Sequence, residues 1–267
     1  MKGLGRPRGY TALNPLGYEN HVSSLRCFSH GSALAVLLGA AEPAPAPAAS
    51  GYVPCKIIEK TPAFYPTRML CEGVVRGEAR LAIEVDPTGQ LTDSLVTAYS
   101  RAEFADAALR AVAQWRFVPG TVDGKPITSI IWVTFNFETR GVVAYERHIG
   151  VPPEKVWFDD SFAYFPHGVQ SLDRKPELLH VTAPIYPKAW MDEGRTGSVT
   201  VSFFIDEQGR ARMPAVVSST DDLLAGSAIA AVKEWRFLPP LHGGQPVLVQ
   251  AEQVFVFQPG KKPPSTS

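Results

Sequence analysis

A chain of 267 residues has room for two domains of about 100 residues, each near the lower limit at which a single apolar core suffices. Charged residues make up 19 % and the formal net charge is +0, so no polybasic or polyacidic surface points to nucleic acid or an anionic membrane. His148, His167, His180 and His242 are scattered, with no metalloprotease spacing, nucleophile elbow, P-loop or dinucleotide fingerprint, so the expectation is no enzyme, no metal and no cofactor.

Residues 1–41 read as a signal-like segment. The apolar run 33–38, followed by Gly39, Ala40 and Ala41, has the form of an h-region with a small-residue cleavage site, and Arg26 supplies a basic flank. The run is far shorter than the roughly 20 residues of a membrane span, so the expected product is a soluble protein exported to the periplasm. The 30-odd residues before the run are long for such a leader, which points to a translation start near Val22; an unprocessed N-terminus is the other reading. Loss of residues 1–41 removes Lys2, Arg6, Arg8 and Arg26 against Glu19, leaving 26 − 4 = 22 basic and 26 − 1 = 25 acidic groups. Cys27 goes too, leaving Cys55 and Cys71 as a possible disulfide in an oxidising compartment or, equally, as two free thiols. Residues 42–61 follow as a Pro/Ala-rich tether and lead-in.

From Gly77 onward the chain repeats itself. Residues 77–137 overlie residues 197–257 at a constant offset of 120 with 16 identities in 61 positions, against roughly one in fifteen for unrelated sequences. The period is too long for a solenoid unit, so each copy is a small domain, 62–138 and 183–258. In each copy Tyr-Pro (Tyr65-Pro66, Tyr186-Pro187) opens a short helical segment. Period-two alternation (Ala79, Leu81, Ile83, Val85; Val199, Val201, Phe203, Ile205) then predicts a half-buried strand. Asp86-Pro87-Thr88-Gly89 and Asp206-Glu207-Gln208-Gly209 predict a capped turn into an antiparallel second strand, with Pro214 at an edge or bulge.

Phe104, Ala108, Val112 and Trp115, matched by Leu224, Ala228, Val232 and Trp235, form one helical stripe facing the sheet. The helix is expected to end at Trp115-Arg116-Phe117-Val118-Pro119 and Trp235-Arg236-Phe237-Leu238-Pro239, where proline disfavours helical geometry before it. A long last strand then runs to Phe137 or Phe257. The unit is α+β, a three-stranded antiparallel sheet with a helix on one face. Its unclosed edge offers backbone groups to an extended peptide. Residues 139–182 are a connector whose aromatics call for packing on one or both domains, with an added strand as one outcome, and 259–267 read as a disordered tail.

The succession of Tyr-Pro, Asp-x-x-Gly, Trp-Arg-Phe-x-Pro, Gly-x-Pro and Phe-x-Phe resembles the C-terminal domain of the TonB energy-transducer family, over about 75 residues per copy. That resemblance implies periplasmic modules whose last strand, residues 127–137 and 247–257 here, pairs with an extended segment of an outer-membrane TonB-dependent transporter. The expected partner-binding positions are Ile130, Trp132 and Thr134 in the first copy and Val254 and Val256 in the second. A protein-binding adaptor is the leading function and a force-transmitting transducer the alternative, since nine residues of Pro/Ala tether reach only about 28 Å. Trp115 and Trp235 are read as core, Arg116 and Arg236 as packed over the helix ends, and Asp86 and Asp206 as turn caps. Trp132, on the face away from the helix, is either a contact residue or covered by the connector.

Overall fold

The structure, a computed structural model, describes residues 51–147 and 161–258 in full and the backbone of residues 11–13 and 19–26; the signal-like run 33–38 and the tail lie outside the described residues. Contacts divide the chain into one unit of Ser29–Pro166 and another that joins Met1–Phe28 to His167–Ser267. Strands β1 (Thr11–Leu13) and β2 (Glu19–Arg26) belong to the second unit.

The first domain runs β3 (Tyr52–Val53), β4 (Lys56–Glu59), α1 (Thr67–Cys71), β5 (Arg76–Val85), β6 (Leu91–Tyr99), α2 (Ala102–Val112), β7 (Arg116–Val118), β8 (Gly120–Val122), β9 (Lys125–Ile127), β10 (Ser129–Glu138) and β11 (Gly141–Arg147). Its main sheet is antiparallel, in the order β11-β10-β5-β6. The alternating residues Ala79, Leu81, Ile83 and Val85 are fully buried with Phe104, Ala108 and Val112 of α2 and Ile131, Val133, Phe135 and Phe137 of β10. Gly77 is needed for that contact: a Cβ there would fall 2.0 Å from the Phe104 ring.

α2 ends at Val112 and α4, below, at Lys233, so the proline of the Trp-Arg-Phe-x-Pro element is not the stop that sequence suggests. Arg116–Val118 is already extended because it pairs with the lead-in strand β4. The expected single last strand is also divided. β8 and β9 form a tight hairpin whose two turn residues, Asp123 (φ 49) and Gly124 (φ 77), both have positive φ, and β10 starts afresh at Ser129.

The second domain contains β12 (His167–Gly168), β13 (Leu178–His180), α3 (Lys188–Asp192), β14 (Gly197–Ile205), β15 (Ala211–Ser219), α4 (Asp222–Lys233), β16 (Arg236–Phe237), β17 (Leu241–His242), β18 (Gln245–Pro246) and β19 (Val249–Phe257). Its sheet order is β1-β2-β19-β14-β15, with β12 alongside β19. Val199, Val201, Phe203 and Ile205 pack with Leu224, Ala228, Val232 and Trp235 as their counterparts do. Met213 (φ 50) and Pro214 fall between the pairs Ser202↔Ala215 and Phe204↔Arg212, so the proline sits in a bulge on the outer strand β15, where its missing N–H breaks no ladder.

The connector packs. Its first part is β11; residues 161–166 lie on the first domain, where Tyr164 stacks on Tyr99 with ring centroids 4.9 Å apart and Arg80 lies over Phe162. Residues 167–180 lie on the second domain.

Candidate strand-addition edge

The repeated Trp-Arg-Phe-x-Pro residues are structural. The indole N–H groups of Trp115 and Trp235 each donate a 2.8 Å hydrogen bond, to the carbonyls of Thr61 and Thr182, so the motif staples each lead-in segment to its helix end. Phe117 and Phe237 are buried, Pro119 is half-buried and Pro239 exposed. Arg236 donates to the carbonyls of Trp235 (2.7 Å) and Lys233 (3.2 Å), whereas Arg116 instead meets Glu59 at 3.2 Å in an exposed ion pair. Asp86 and Asp206 cap their turns: Asp86 accepts from Thr88 Oγ1 and the amides of Thr88 and Gln90, which hold its carboxyl below the usual carboxylate range. Asp206 accepts from the amides of Gln208 and Arg210 and from both guanidinium groups of Arg210 and Arg212.

The expected open edge on the first domain is corrected. β11 returns from β10 through a two-residue turn and pairs with it from Glu138↔Gly141 to Trp132↔Arg147, so Trp132 and Thr134 have strands on both sides. Ile130 lies just beyond that register. Trp132 points away from the helical core, as its alternation with Ile131 and Val133 requires, and is itself buried, so it is not an exposed contact residue. The possible Cys55–Cys71 disulfide is corrected as well: both are free thiols, Cys55 buried, where desolvation pushes its pKa up, and Cys71 exposed at the end of α1.

On the second domain the outer side of β19 is occupied in two pieces. β12 runs parallel to its start, His167↔Val249 and Gly168↔Gln250. β2 runs antiparallel to the rest, with Arg26↔Glu252, Ser23↔Val254, Val22↔Phe255 and His21↔Val256 and a register shift between Glu252 and Val254. The candidate positions Val254 and Val256 therefore lie on an edge that takes an added strand from a distant part of the chain, and both are half-buried, alternating with the core residues Phe255 and Phe257.

β12 is held down by a strap that sequence reasoning missed. The Asp173 carboxylate accepts from the amides of Gly243 and Gly244, both at 2.8 Å, and those bonds lower its pKa. The Asp173 amide donates to the Leu241 carbonyl, and His242 Nδ1–H donates to the Ser171 carbonyl at 2.6 Å. The rings of His167 and His242 are 4.6 Å apart, and burial, then the neighbouring imidazole, lowers the His167 pKa. The Gly243-Gly244 turn was the available signal, since its outward amides invite a carboxylate. No pattern in the sequence named Asp173 as the acceptor.

Among the described residues no group of three or more His, Cys, Asp or Glu side chains could hold a metal ion, and no helix is long and apolar enough to cross a membrane. A helix on one face of a short antiparallel sheet, twice over, with an edge that accepts a strand, is the form of a small protein-interaction module. Residues 61–139 and 182–259 match the family described as Gram-negative bacterial TonB protein C-terminal, and the chain belongs to that family as a tandem pair of TonB C-terminal-like domains. Protein TonB of Pseudomonas aeruginosa is 33% identical over 102 residues, 38% of this chain and 29% of that protein, so the match spans under a third of the relative's length. The solution NMR structure of the Pseudomonas aeruginosa TonB CTD aligns at 31% identity with a TM-score of 0.30, over 34% of this chain and 92% of that one.

Proposed function

We propose that this is a periplasmic, non-enzymatic adaptor whose second domain binds an extended segment of a partner protein by strand addition to β19, the partner being an outer-membrane TonB-dependent transporter. The observation that carries the reading is the pairing of β2 with Glu252–Val256: the edge forms a ladder with a strand that does not belong to the repeat. Strand addition draws its affinity from main-chain hydrogen bonds, so an edge that accepts one extended segment has the geometry for others. The first domain contributes a module whose last strand, β10, is covered by β11. The family membership and the likeness to Protein TonB favour a second reading, an energy transducer coupling the inner membrane to outer-membrane uptake. Both readings use the same edge and differ in whether force is transmitted.

Photocrosslinking in intact cells tests the binding mode. A crosslinker at Val254 or Val256 should yield adducts with an extended segment of a transporter, and one at Thr134 should not. Equal yields at Val254, at Thr134 and on the exposed face of α4 would overturn the assignment of the edge. Uptake that survives deletion of the second domain would remove the transducer reading.

A further inference from the structure

The two domains cover their last strands in different ways, and the difference bears on regulation. β11 follows β10 after only Thr139 and Arg140 and makes seven consecutive pairings. Closing so short a loop costs little chain entropy, and β11 folds as part of its domain. β2 is connected to the described body of the chain only through residues 27–50, and its four register positions on β19 are interrupted by a bulge. Its ladder is shorter and less regular, and its tether is long. Of the two covering strands, β2 is the one built to exchange.

We propose that residues 19–26 act as an internal strand that occupies the partner edge of the second domain and must leave before another extended peptide can pair with β19. The proposal rests on the reading of β19 as the binding edge. β12 claims only Val249 and Gln250, so the stretch from Glu252 to Val256 is the part β2 controls. β1 pairs with the far side of β2, so the two leave as one hairpin. A strand on the same chain competes intramolecularly, so it screens out weak peptides and admits only those that pair better than itself. The ligand class is an extended peptide without proline at its pairing positions. The proposal concerns the chain that keeps residues 1–41, the unprocessed reading of the N-terminus; a chain that loses them has no β2 and an uncovered stretch at Glu252–Val256.

The experiment uses the full chain with Val22→Pro and Ser23→Pro made separately, because adjacent amides of a strand point to opposite neighbours and one of the two faces β19. Hydrogen exchange of residues 252–256 should quicken in at least one variant while α4 exchange is unchanged. A labelled synthetic peptide of residues 19–26, added in trans, should bind that variant at least about tenfold more tightly than the parent chain, with Val254→Pro abolishing the gain. Unchanged exchange at 252–256 in both variants would overturn the internal strand, and equal affinity of the peptide for parent and variants would overturn competition. Neither readout uses a natural partner, so a failed search for a transporter would count against the proposed function alone.

Discussion

Replacing Trp235 by alanine should strongly destabilise the second domain and leave the first intact. The indole is fully buried, lies 5.5 to 6.1 Å by ring centroid from Phe203, Phe237 and Phe255, and donates its N–H to the Thr182 carbonyl. Truncation of a buried tryptophan to alanine costs about 3–5 kcal/mol in lost transfer energy and cavity formation. Against a total stability of about 5–15 kcal/mol, that is enough to leave a small domain marginal. With a urea m-value of about 2 kcal/mol/M, the midpoint should fall by about 2 M. Trp235→Phe keeps most of the apolar contact and removes the donor to Thr182, so its cost should be about 1–3 kcal/mol, the penalty of an unpaired carbonyl. Urea denaturation of the full chain, read by hydrogen exchange of α4 and α2 separately, gives both numbers, with α2 as the internal control. A loss below about 1 kcal/mol in α4 for Trp235→Ala would refute the argument that this motif is a core staple.

Gly209 has φ +77 and its Cβ would sit 2.0 Å from the Phe237 carbonyl, so Gly209→Ala should cost about 2–3 kcal/mol, whereas Gly226→Ala, in α4 with open space around it, should stabilise by about 0.5–1 kcal/mol; thermal melts compare the two. Thr134→Pro should destabilise the first domain rather than act as a binding mutation, because β10 is paired on both sides, and circular dichroism will show it. The lowered His167 pKa means the unfolded chain takes up protons first: stability from this group is full above about pH 6.5 and declines as pH falls, and His167→Gln should flatten that decline in calorimetric scans. The Asp173 carboxyl is lowered too, so its contribution is present above about pH 4 and is lost only below, which separates the two limbs of the profile. Native alkylation should label Cys71 quickly and Cys55 slowly, and peptide mapping that finds the two joined would contradict the free thiols.

The repeated unit was legible in the residues because its signals are local. Period-two alternation marks β5 and β14, the stripe from Phe104 to Trp115 marks α2, and Asp-x-x-Gly with its positive-φ glycine marks the turn, each set by backbone geometry over a few residues. The offset of 120 then says that the same local solution is used twice. What flanks each last strand was not legible. A strand edge carries no sequence mark of its occupant, since main-chain groups are the same in every residue. β11 was open to inference from the strand-favouring run Val142–Tyr145 after a turn, but β2 is more than 200 residues from β19 and shares no pattern with it. Even the helix end does not follow from Pro119, because the extended path of Arg116–Val118 depends on pairing with β4, some 60 residues earlier. Local propensity and periodicity determined the elements and their faces; long-range backbone pairing, which any segment can supply, decided which edges are closed and by what.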